Sequence, residues 1–135
     1  MTRKNTAEID EQRRAGAWES VAFCNYVPVV AAHYSRERPG REMFVRGAQR
    51  FREVLDRLEP GAVAVFGFQT WGWMMHGMAV PGKHWDEPAT PFAQVDRAIA
   101  ARICHPSRGF SYERWRPVFH ELLERAKAVS GHDVP

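Results

Sequence analysis

The chain has 135 residues, with 19 Lys and Arg against 16 Asp and Glu, and 44% hydrophobic residues. That length predicts a single domain, and that balance of apolar and charged residues excludes whole-chain disorder. The longest apolar run, Gly61 to Phe68, falls far short of the ~20 residues needed to cross a bilayer. The polar start Met1-Thr-Arg-Lys-Asn-Thr6 lacks the apolar core of a secretory signal, so a cytoplasmic protein with no membrane partner is expected. Sixteen of the 19 cations are Arg, whose guanidinium fork suits phosphate. The net charge of +3 is nonetheless mild and is shared by many enzymes without a nucleic-acid partner.

Residues 1–17 are polar and helix-permissive and are expected to form an N-terminal helix, followed by one α/β domain over residues 18–130. Within Trp18-Glu-Ser-Val-Ala-Phe-Cys-Asn25-Tyr-Val-Pro28 the Val, Phe and Cys residues suggest a buried strand over 20–24, closed by Pro28. A loop rich in Arg, Pro and Gly follows, over about 33–40. From Arg41 to Leu58, the residues Phe44, Ala48, Phe51, Leu55 and Leu58 step by four, three, four and three, which places them on one helical face. Glu59-Pro60-Gly61 ends that helix, and Ala62-Val-Ala-Val-Phe66 reads as a short buried strand stopped by Gly67. Residues 68–76 read as a short helix, and 77–91, with its Gly and Pro residues, as irregular chain. Ala98 to Cys104 is a further strand, ending at His105-Pro106-Ser107. A last helix runs from Ser111 or Tyr112 to Lys127, with Trp115, Val118, Phe119, Leu122 and Leu123 as its apolar stripe and Ser111 as N-cap. The alternation predicts an α/β fold: a three-layer sandwich whose small, mostly parallel sheet is flanked by helices.

Ligands of open α/β sheets bind at the carboxyl ends of the strands. Asn25, Gly67-Phe68-Gln69 and His105-Pro106-Ser107 would stand there. An Asn amide and a neutral imidazole together can read a flat polar ring, and they can equally satisfy local backbone groups. Cys24 and Cys104 sit in apolar runs with no Cys-x-x-Cys spacing and read as free thiols buried beneath the sheet edge, and neither a metal nor a cofactor is expected. His33, His76, His84 and His120 are scattered without helical pairing. Trp71, Trp73, Trp85 and Trp115 are candidates for base stacking, Trp115 fitting the core better. The series Arg36, Arg38, Arg41, Arg46, Arg50, Arg52 and Arg57 suits a phosphate backbone or a solvated helix face.

Three stretches carry a resemblance: Phe23-Cys-Asn25-Tyr-Val, then Phe51 to Pro60 leading into Val63-Ala-Val-Phe-Gly67 with Trp71, then His105-Pro-Ser-Arg-Gly-Phe110-Ser-Tyr-Glu-Arg-Trp115. In this order and spacing, over roughly residues 18–125, the chain resembles divergent bacterial branches of the uracil-DNA glycosylase superfamily. The resemblance implies recognition of uracil or a damaged base in single- or double-stranded DNA for base excision repair. It implies that Asn25 bonds the Watson–Crick edge of a flipped base and that His105 steadies negative charge on the leaving base. Ser107 would contact a phosphate, and Arg108, Gly109 and Phe110 would lie in the loop that enters the DNA helix. The family's first motif, a Gly-rich strand end that supplies a water-positioning Asp or Asn, has no counterpart here. Two consequences follow: a glycosylase-like module that binds a base without cleaving it is the alternative to an enzyme, and a partner segment or self-association is expected to complete the sheet.

Overall fold

The structure is a computed structural model that describes residues 13, 16, 20–27, 40–82, 84, 85 and 90–130. Arg13 and Gly16 are helical; the remainder of the expected N-terminal helix lies outside the described residues. Helix α1 (Arg41–Leu58) leads to strand β1 (Ala62–Phe66), helix α2 (Phe68–Gly77), strands β2 (Phe92–Val95) and β3 (Ala98–Ile103), a 3₁₀ turn (Pro106–Arg108) and helix α3 (Tyr112–Ser130). Among the described residues no helix is long and apolar enough to cross a membrane.

The three strands form one sheet in the order β1-β3-β2. β1 and β3 are parallel, from Ala62 opposite Ile99 to Phe66 opposite Ile103. β2 and β3 form an antiparallel hairpin closed by Asp96 and Arg97, with Val95 opposite Ala98. Asp96 takes a left-handed conformation (φ 54°), which an Asp tolerates better than most residues.

Helices cover both faces, so the α/β layering expected from the alternation is present. On one face α1 and α2 pack Phe51, Leu55, Trp71, Met74 and Met75 over Val65, Val95, Ala98 and Ala100. On the other, Trp115 and Leu122 of α3 pack over Ala101 and Ile103, with Phe66, Ile99 and Phe119 beside them. The central strand carries small side chains, and its Ala100, Ala101 and Ile103 are fully buried. Small residues on both faces of β3 let the helices approach closely, and the flexible Met74 and Met75 fill what space remains.

Three expectations require correction. Residues 20–24 form no strand: Val21 to Asn25 have no regular structure and are exposed, Phe23 by 75%. An apolar run becomes a strand only where a neighbour pairs its backbone, and composition does not supply one. Cys24 is therefore exposed rather than buried, and Cys104 is half-buried. The sheet is mixed rather than mostly parallel, because its third strand is β2, four residues just past the irregular 77–91 stretch to which the sequence pattern assigns no element. The loop expected over 33–40 lies outside the described residues except Gly40.

Candidate functional site

β1 and β3 end side by side. The N–H of Gly67, just past β1, donates to the carbonyl of Ile103 at 2.8 Å. Gly67 then turns the chain into α2 with φ 101° and ψ 137°, a conformation open essentially to glycine alone. A methyl group added there would stand 3.9 Å from the His105 side chain. The carboxyl edge of the parallel pair thus places the start of α2 beside His105. No side chain caps α2, so the N–H groups of its first turn point to this edge and favour negative charge.

The turn after β3 is fixed by its own short bonds. The His105 carbonyl accepts from the Arg108 N–H at 2.9 Å, Pro106 stands at the first position of the 3₁₀ turn, and Gly109 closes it at φ 75°. The Cys104 thiol reaches the carbonyls of His105 (3.5 Å) and Arg108 (3.8 Å), bracing the turn from below. His105 Nδ1 accepts from the Ser107 N–H at 3.2 Å and lies 2.7 Å from Ser107 Oγ. A backbone N–H can only donate, so the ring proton of the neutral imidazole resides on Nε2. The result is a ring held by Ser107, with a hydrogen-bond donor directed away from its own turn.

The surroundings of the turn are cationic and aromatic. From Arg97 to Tyr112 the sequence contains no carboxylate. The Arg102 guanidinium lies 3.8 Å from the centre of the Phe68 ring, a cation–π contact at the first residue of α2. Phe68, Phe110 and Tyr112 all expose much of their rings, Tyr112 by 69%. The sequence pattern puts Phe68 at a strand end without giving it a role, and it gives none to Arg102 or Tyr112. The signal for Phe68 was present in its place one residue after Gly67, at the end of a buried strand.

His105, Ser107, Arg108 and Gly109 are brought together and all are exposed. Asn25 is not brought to them. Its neighbour Tyr26 packs against Gly47 of α1 and beside Gly77, at the far end of α2, with its ring near Phe44 and Phe51. The ten residues of α2 separate that end from His105 by about 15 Å of helix. Among the described residues no polar or charged residue is buried as a whole, and no cluster of His, Cys, Asp or Glu is arranged to hold a metal ion.

The remaining candidates are dispersed. Trp71 and Trp115 are core residues. Trp73 stacks on Phe44 and meets Trp85 edge-on. Phe44, Trp73 and His76 border a shallow cavity of about 250 Å³ between α1 and α2, away from the sheet's carboxyl edge. Nε2 of His84 is 2.6 Å from the Val80 carbonyl. Arg41, Arg46, Arg50 and Arg57 lie on the solvated face of α1, and Arg52 donates to the Gly77 carbonyl at 2.7 Å. His33, Arg36 and Arg38 fall outside the described residues. Comparison with protein-family models, with curated proteins and with solved structures finds no match to this chain.

Proposed function

We propose that the chain is a nucleic-acid-binding module that holds a base and its flanking phosphate at the carboxyl edge of β1 and β3 without excising the base. The observation that carries this reading is His105, held by Ser107 with its Nε2–H directed outward, in a stretch from Arg97 to Tyr112 that carries Arg side chains and no carboxylate. A donor of this kind suits a base carbonyl oxygen. The Arg108 side chain and the open N–H groups of α2 suit phosphate. Phe68, Phe110 and Tyr112 offer rings to unstacked bases. The resemblance of His105 to Trp115 to the uracil-DNA glycosylase superfamily supports the same partner.

Excision demands more than this edge supplies. A leaving base is stabilised by donors in a site that excludes water, where electrostatic interactions are strong. Here the residues of the turn are exposed, the stretch from Arg97 to Tyr112 supplies no acid of its own to position a water, and Asn25 lies toward the other end of α2. Binding is the function these residues can perform together.

The test is fluorescence anisotropy of a labelled single-stranded oligonucleotide, with uracil or thymine at its centre, titrated with the full chain at several salt concentrations. In parallel the same strand is incubated with protein and treated with alkali to reveal abasic sites. The reading expects salt-sensitive binding, weaker in His105→Ala and Arg108→Ala, with no strand scission. Scission that depends on His105 would make the chain a glycosylase. Absence of binding at low salt would remove the reading altogether.

A further inference from the structure

Strand β1 lies at the border of the sheet, and hydrogen-bond parity determines what its outer side offers. Gly61 accepts through its carbonyl from Ile99 and Gly67 donates through its N–H to Ile103. In a parallel pair, alternate residues turn both backbone groups to the same neighbour. Gly61, Val63, Val65 and Gly67 therefore face β3, and the N–H and C=O groups of Ala62, Ala64 and Phe66 face outward. Among the described residues no strand pairs with them. Ala62, Ala64 and Phe66 are only half-buried, whereas the paired β3 residues Ala100 and Ile103 are fully buried.

Edges of this kind normally carry a charge, a proline or a bulge that discourages further pairing. Ala62-Val-Ala-Val-Phe66 carries none of these. Next to it, the Phe66 ring meets Phe119 of α3 at 6.4 Å. Leu123 stands one helical turn beyond Phe119, on the same flank of α3, and is 55% exposed. An apolar side chain thus overhangs an unpaired, uncharged edge.

We infer that β1 pairs with β1 of a second copy of this chain, antiparallel and about a two-fold axis through Ala64. The strand fits itself in that register. Ala64 faces its own counterpart, Ala62 faces Phe66 of the other copy, and every outward-facing residue meets an outward-facing residue. The three pairs exchange roughly six hydrogen bonds. The large Phe66 lies opposite the small Ala62 on the face covered by α3, where the two Leu123 side chains approach the axis. The contact is isologous and closes on itself, making a continuous six-stranded sheet rather than a filament.

Sedimentation equilibrium of the full chain over a wide concentration range tests this. The expected result is a reversible dimer that Leu123→Glu, a change at an exposed site, weakens at least about tenfold by placing like charges near the axis. Ala64→Pro removes the central outward N–H at an edge position that tolerates proline and is expected to abolish the dimer. Hydrogen exchange supplies a readout independent of either variant's folding. The Ala62, Ala64 and Phe66 amides should be protected at high concentration and lose protection on dilution, while those of Val63 and Val65 stay protected throughout. A monomer at all concentrations, or protection of the outward amides that ignores dilution, would overturn the inference.

Discussion

His105 and Ser107 act as a pair whose geometry determines which ring nitrogen is available. The backbone N–H of Ser107 survives replacement of its side chain, so Ser107→Ala is expected to keep the His105 proton on Nε2. Ring ¹⁵N shifts of the wild type and of Ser107→Ala check this, and a proton on Nδ1 in the wild type would contradict the arrangement. Affinity for nucleic acid should fall only about two- to fourfold in Ser107→Ala, while His105→Ala, which removes the outward donor, costs more. Tyr26 presents the opposite case, a polar atom that is buried. Its hydroxyl has no hydrogen-bond partner among the described residues. Burial pushes its pKa up to about 12, against a smaller opposing effect of the Arg52 cation. The folded state therefore holds this proton more tightly than the unfolded chain does. The associated stabilisation is complete below the ordinary Tyr value of 10.0 and is lost as the pH rises through about 12. Tyr26→Phe removes both the unsatisfied hydroxyl and the titration. Thermal melts are expected to show a gain of about 1 kcal/mol at neutral pH, and a smaller loss of stability between pH 10 and 12 than in the wild type.

At the scale of elements, glycines and prolines set what the helices and turns can do. Gly67→Ala would meet no close neighbour, its nearest atom being 3.8 Å away, so its cost comes from backbone strain alone, about 1–3 kcal/mol. Because that strain falls on the turn beside His105, nucleic-acid affinity should drop with it. Gly47→Ala behaves differently, since a methyl group there collides with the Tyr26 backbone carbonyl and ring. It is expected to detach residues 21–27 from α1 while the sheet and its helices persist, visible as faster proteolysis near Phe23 without loss of the cooperative melt. Pro117 lies inside α3, where it cannot donate to the preceding turn. Pro117→Ala should raise stability by about 1 kcal/mol or more, and a fall would mean that the proline ring itself is needed for packing. The same residues explain what could be read from the sequence. The four-and-three spacing from Phe44 to Leu58 and the uninterrupted Ala62–Phe66 run each admit one structure, and α1 and β1 lie where those patterns put them. The Val21–Asn25 run admits two, because strand pairing is a long-range event that a local apolar run does not encode. β2 escaped for the converse reason: four residues bounded by Pro91 and a two-residue turn resemble the loop around them. For the site, His105 to Gly109 were legible because one turn contains them all. The placing of Asn25 relative to His105 depends on how α1, α2 and the N-terminal segment pack, which no local pattern states.

For the whole molecule, the distribution of charge matters more than its sum. The net charge of +3 is small, yet the edge around His105 carries Arg102 and Arg108 with no acid between Arg97 and Tyr112. Binding should therefore be strongly salt-dependent, and Arg108→Ala is expected to lower the slope of log affinity against log salt by roughly one phosphate equivalent on every sequence tested. A variant at Asn25 should change neither slope nor affinity if the edge is the binding surface. The measurement that addresses this claim most directly is an amide chemical-shift titration of the full chain with a uracil-containing single strand. Shifts confined to the start of α2 and to residues 105–112 are predicted, with Val21 to Val27 unmoved. Shifts centred on Asn25 and the α1 surface, with the His105 turn silent, would contradict the account.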